Sequence, residues 1–197
     1  HALSLDANQA YGISKKKALA AGDANGDGSI DLKSEMTFGN AYYAADADKS
    51  GTDYLHTITS AFIEGRKLIT AANGEALSPE ALAQVQAYAA TIDEEMTKVL
   101  AEATFKYAGS VYKDIEKIRA DKNNISDDLY ADYMKHWGEL KGFAMAMQTG
   151  KTNLGGTAVR LNRLIGFGPP TRDESVVTGI DADGNFVKDG KMSWNAY

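Results

Sequence analysis

The longest regular pattern in the chain starts at Ser78-Pro79-Glu80. There a serine cap, a proline in the first turn and an acidic side chain together suit a helix N-terminus. From Leu82 through Val85, Ala89, Ile92, Met96, Val99, Ala103, Tyr107, Val111 and Ile115 to Ile118, apolar residues recur at spacings of three, four and seven. That is one face of a helix of roughly 40 residues, far beyond the usual three or four turns. Such a helix cannot bury its stripe alone and needs partner helices.

The partners follow the same period. In "LHTITSAFIEGRKLITAA", Leu55, Ile58, Phe62 and Ile69 share a stripe. A helix is expected to start at Ser126, with Asp127 and Asp128 near its positive end, and to run to about Gln148. A shorter stripe of Leu154, Ala158, Leu161 and Ile165 ends at Gly166, with Pro169 and Pro170 beyond. Short helices are also expected in 4–20 and 33–45. "VVTGIDADGNFVKDGKMSW" is the sole strand-like stretch and reads as a hairpin or ordered loop. The pattern predicts an all-α fold: a helical bundle, or two packed bundles, with one short hairpin near the C-terminus. We read 1–197 as a single helical domain with an EF-hand-like insertion at 21–57.

Composition narrows the partners. A net charge of −6 and a pI near 5.1 give no basic surface for nucleic acid. The absence of cysteine excludes disulfides, thiolate metal sites and cysteine nucleophiles. No apolar run is long enough for a transmembrane segment, and no signal peptide opens the chain. The ending at "KMSWNAY" carries no helix stop or turn signal, so the gene product is expected to continue.

Within the insertion, "AGDANGDGSIDLKSE" has the rhythm of a calcium loop. Such a loop carries oxygen ligands at positions 1, 3, 5, 7, 9 and 12, a glycine at 6 and an aliphatic residue at 8. Asp23, Asn25, Asp27, Gly28, Ser29 (through its carbonyl), Ile30 and Asp31 fill the register through position 9. Position 12 is Ser34, and Glu35 follows one residue late, which predicts a weak calcium site suited to the extracellular concentration range. A second loop, "DADKSGTDYLH", offers Asp46, Asp48 and Ser50 with Gly51 at position 6. A third, "DADGNFVKDGK", has Asp181, Asp183, Asn185 and Asp189 in phase but Phe186 at the glycine position, and a hairpin turn accounts for it equally well.

The other chemical signal is "LYADYMKHWGELKGFAMAMQ". His136 and Glu139 stand three residues apart on a predicted helix, with Asp132 four residues before the histidine, so all three share one stripe. An imidazole beside carboxylates is a partial ligand set for Fe or Zn. Further ligands must come from elsewhere, and Glu35, Glu64, Glu94 and Glu95 are candidates. By position the same three residues are also the polar flank of a helix whose apolar face is Leu129, Tyr133, Trp137, Leu140, Ala144 and Met147.

"HWGELKGFAMAMQ" resembles the His-x-x-Glu helix of imelysin-like bacterial envelope proteins, in particular an uncharacterised branch of domains of unknown function. "SEMTFGNAYY" resembles that branch's Glu-x-x-Phe-Gly helix, and "AFIEGRKLI" its Gly-Arg helix. With "LNRLIGFGPP", the resemblance covers about residues 34 to 170 in matching order. It implies packed helical bundles, export to the periplasm or outer surface of a bacterium, and a link to iron uptake, with His136 and Glu139 as the metal pair. Met134 stands where the imelysin motif has glycine, and no HExxH helix occurs, which argues against the peptidase activity attached to the wider family.

Three functional readings follow. The first is an extracytoplasmic helical protein that binds metal ions, with structural Ca2+ in the loops and Fe or Zn near His136. The second is a cell-surface interaction or adhesion module whose calcium only stiffens loops, partnered by another envelope protein. The third is a metallopeptidase-like hydrolase using a metal-activated water.

Overall fold

The computed structural model describes residues 26–28, 39–148 and 155–197. Among these residues five helices and a two-stranded hairpin follow in order: α1 Gly39–Asp48, α2 Tyr54–Ala71, α3 Pro79–Ala120, α4 Asp127–Ala146, α5 Gly156–Ile165, β1 Ser175–Ile180 and β2 Phe186–Lys191. The expected all-α bundle is the observed fold. The helix expected at 4–20 lies outside the described residues. Of that expected at 33–45, the part from Gly39 onward is helical and continues to Asp48.

The heads of α3 and α4 and the end of α5 fall where their caps place them. The Ser78 hydroxyl accepts a hydrogen bond from the Ala81 amide at 3.2 Å at the head of the 42-residue α3, and Ser126 accepts from the Leu129 amide at the head of α4. Each satisfies one of the backbone donors left open in a first helical turn. α5 stops at Gly166, whose φ of 85° lies in the left-handed region that glycine adopts without strain. The partly buried ammonium of Lys141 donates to the Gly166 carbonyl at 2.6 Å, and partial desolvation holds the lysine below its ordinary pKa.

The chain forms two compact units that divide at Val99 and Leu100, within α3. In the first, Ala41, Ala44 and Ala45 of α1 pack with Ile58 of α2 and Val99 of α3, bordered by Tyr42, Tyr43, Tyr54, Leu55, Ile92 and Met96. Three alanines on one face let α1 approach closely. Phe62 and Ile69, expected on the buried stripe of α2, are partly exposed instead. They line an apolar groove of about 360 Å³ with Val85, Tyr88 and Ile92 of α3.

In the second unit, Ala103, Tyr107, Val111, Ile115 and Ile118 of α3 and Tyr133, Trp137, Leu140 and Ala144 of α4 are all buried, and Tyr107 stacks on Phe143 across the two helices. The α4 face is the one the periodicity predicts. The hairpin is antiparallel, with Ser175 opposite Lys191 and Ile180 opposite Phe186, and its register shifts twice between them. Behind it, a β-carbon at Gly168 would lie 2.5 Å from that of Val177, so only glycine fits. After β2 the chain returns Trp194 to the core, 1% exposed and edge-on to Tyr133 at 5.2 Å. The guanidinium Nε of Arg119 donates to the Trp194 carbonyl at 2.7 Å, Trp137 Nε1 donates to the Tyr197 hydroxyl, and that hydroxyl donates to the Ile165 carbonyl. Tyr133 is buried enough that its phenol is pushed far above the ordinary tyrosine range.

Candidate functional site at His136

α4 turns His136 toward α3, where Nδ1 lies 2.6 Å from Oδ2 of Asp114. The aspartate side chain is 5% exposed and the histidine 26%. Asp114 occupies a core phase of α3, four residues before Ile118 and three after Val111, so helix periodicity carries its carboxylate inward. Its other oxygen has Lys117 Nζ at 3.5 Å, from a largely exposed side chain on the same helix. Tyr107, two turns earlier on the same face, places its ring 6.1 Å from the imidazole, and Phe143 stacks on Tyr107 at 5.8 Å with planes 6° apart. The imidazole therefore has one nitrogen on a buried carboxylate and an aromatic wall beside it.

Glu139 follows one turn later on α4. Its Oε2 is buried and receives no hydrogen bond among the described residues. Buried polar atoms are normally paired with protein or ordered water, so an orphaned carboxylate oxygen calls for an explanation. Asp132, the third member of the predicted stripe, is exposed. Among the described residues no group of three or more His, Asp or Glu side chains converges as a complete metal shell would. The helper glutamates in the first unit are engaged elsewhere: Glu64 pairs with Lys67, and Glu94 and Glu95 share Lys98. Glu35 lies outside the described residues.

Most of the first loop also lies outside them: Asp23, Asn25, Ser29 and Asp31 with Glu35. Asp27 is described and exposed, between Gly26 with φ 76° and Gly28 with φ 88°. A positive φ at Gly28 is the sharp bend that position 6 of a calcium loop needs.

In the second loop, Gly51 is likewise left-handed, at φ 100°. Asp48, however, already receives three donors: Thr52 Oγ1 and the Tyr54 amide on Oδ1, and the Leu55 amide on Oδ2, at 2.7 to 2.9 Å. It caps α2 from outside the helix, a task that Asp53 at the cap position does not perform with its side chain. Asp46 pairs with Lys49 at 3.3 Å, and the Ser50 amide closes a turn on the Ala47 carbonyl.

The third loop is the hairpin turn. Asp181 accepts from the amides of Asp183 and Asn185 and from the Asn185 side chain, and these bonds hold its carboxyl below the ordinary range.

Asp114 was not among the candidates that spacing supplies, because it is 22 residues from His136. A signal for it exists in the sequence: Tyr107, Val111, Asp114 and Ile118 keep the 4-3-4 spacing of a core seam, and a lone acid in such a seam needs a partner. Among the described residues no helix is long and apolar enough to cross a membrane. Comparison with family models, with curated proteins and with solved structures finds no match.

Proposed function

We propose that this chain is an extracytoplasmic helical metal-binding protein in which His136 and Glu139 supply the side-chain donors for Zn or Fe. One observation carries the reading: a buried Glu139 oxygen that receives no donor among the described residues, one turn from a half-buried histidine whose Nδ1 contacts Asp114. A cation relieves the cost of the orphaned carboxylate oxygen, and imidazole with carboxylate is a donor set both metals accept. Water completes the coordination. Placement outside the cytoplasm and a role in metal uptake come with the imelysin-like resemblance. The 23–35 loop adds a structural Ca2+ in this reading, which millimolar calcium outside the cell would fill.

Metal analysis of protein purified without chelator tests it. Stoichiometric Fe or Zn that disappears in both His136→Ala and Glu139→Gln is the expected outcome, and metal-free protein that also fails to take up either ion on titration counts against it. An EDTA melt at an unchanged midpoint relative to saturating Ca2+ would remove the calcium loop from the proposal.

The groove of the first unit favours a second reading, an interaction module. Its apolar walls include the partly exposed Phe62 and Ile69, and its size lies within the range of ligand pockets. Calcium without transition metal in the purified protein would favour that reading over the first.

A further inference from the structure

We infer that Asp114 is the positioning residue of the His136 site: it fixes the imidazole as the Nδ1–H tautomer and so leaves Nε2 as the nitrogen that takes the metal. The inference rests on the proposed metal reading for its purpose, and on geometry for its substance. A carboxylate oxygen accepts hydrogen bonds, so with Oδ2 2.6 Å from the ring we place the proton on Nδ1. Asp114 is almost wholly shielded from water, which would otherwise compete for that proton. The Tyr107 ring, backed by Phe143, restricts rotation of the imidazole about its bond to the chain. Charge on the aspartate also makes the distal nitrogen a better electron-pair donor, the usual consequence of a carboxylate behind a metal-ligating histidine.

Two measurements decide it. The first is the ring 15N pattern of His136 in the uniformly labelled, metal-free protein at pH 8, assigned by its absence in His136→Gln. A neutral ring protonated at Nδ1 is expected. A ring protonated at Nε2, at both nitrogens, or exchanging between tautomers overturns the inference without reference to any metal. The second is Zn2+ affinity in Asp114→Asn and Asp114→Glu. The amide is expected to weaken binding by roughly 10–100-fold and to scramble the tautomer, while the glutamate recovers most of both. Unchanged affinity in Asp114→Asn overturns the positioning role. If the wild-type protein binds no Zn2+ yet shows the Nδ1–H ring, the metal reading alone falls and the positioning by Asp114 stands. Because the tautomer is read in the wild-type chain, the test survives an unfolded variant.

Discussion

Two histidines among the described residues sit beside an aspartate, and the two pairs differ in nearly everything else. His56 and Asp53 lie three residues apart at the head of α2, 3.2 Å from each other, with side chains 77% and 72% exposed. His136 and Asp114 come from two helices, 22 residues apart in the chain, with the shorter contact and the shielded carboxylate. Water around the first pair screens the attraction and supplies competing hydrogen bonds, so its geometry is one of many available at little cost. The second offers water far less access to its carboxylate. Identical chemistry becomes a fixed arrangement only where packing removes solvent and rotational freedom.

The strongest way to break the contrast is to remove the packing. Tyr107→Ala is expected to cost about 3 kcal/mol in urea unfolding, from the cavity left by a buried ring. It should also loosen the His136 tautomer, since the ring loses its wall. Asp114→Ala should cost about 2 kcal/mol by leaving a hydrogen-bonded imidazole without its charged partner. A loss below 0.5 kcal/mol would mean that the pair is no more structured than the exposed one.

The acids flanking α2 sharpen the comparison at smaller scale. Asp48 receives two helix amides, so Asp48→Ala should lower stability by about 1 kcal/mol, the typical worth of a capping side chain. Asp53→Ala, which removes only the exposed contacts to His56 and Thr57, should stay within about 0.5 kcal/mol. Reversal of that order in thermal or urea melts would show that sequence position at the cap outweighs the hydrogen bonds made.

Local rules made much of the fold legible. The starts of α3 and α4 follow from Ser78 and Ser126, the end of α5 from Gly166, and the buried face of α4 from one apolar stripe, because capping and periodicity depend on residues within a turn or two. The Asp181 loop shows the limit of such reading: alternating acids fit a calcium register and a hairpin turn alike, and the amides of Asp183 and Asn185 show the turn. Asp48 is similar. Its phase matches a ligand position, yet the chain folds its carboxylate back on the amides of α2.

The sequence by itself determined that this protein is helical, where its long helix starts, and that His136 and Glu139 share a stripe. Only the tertiary structure decided that His136 answers to Asp114, that Glu139 keeps a buried oxygen without a donor among the described residues, and that Trp194 closes the second unit from beyond the hairpin. The reason is physical: periodicity fixes which side of its own helix a residue occupies, whereas a partner across helices depends on how two elements are rotated and shifted against each other. That choice is made by the sum of many packing contacts, and no local spacing records it.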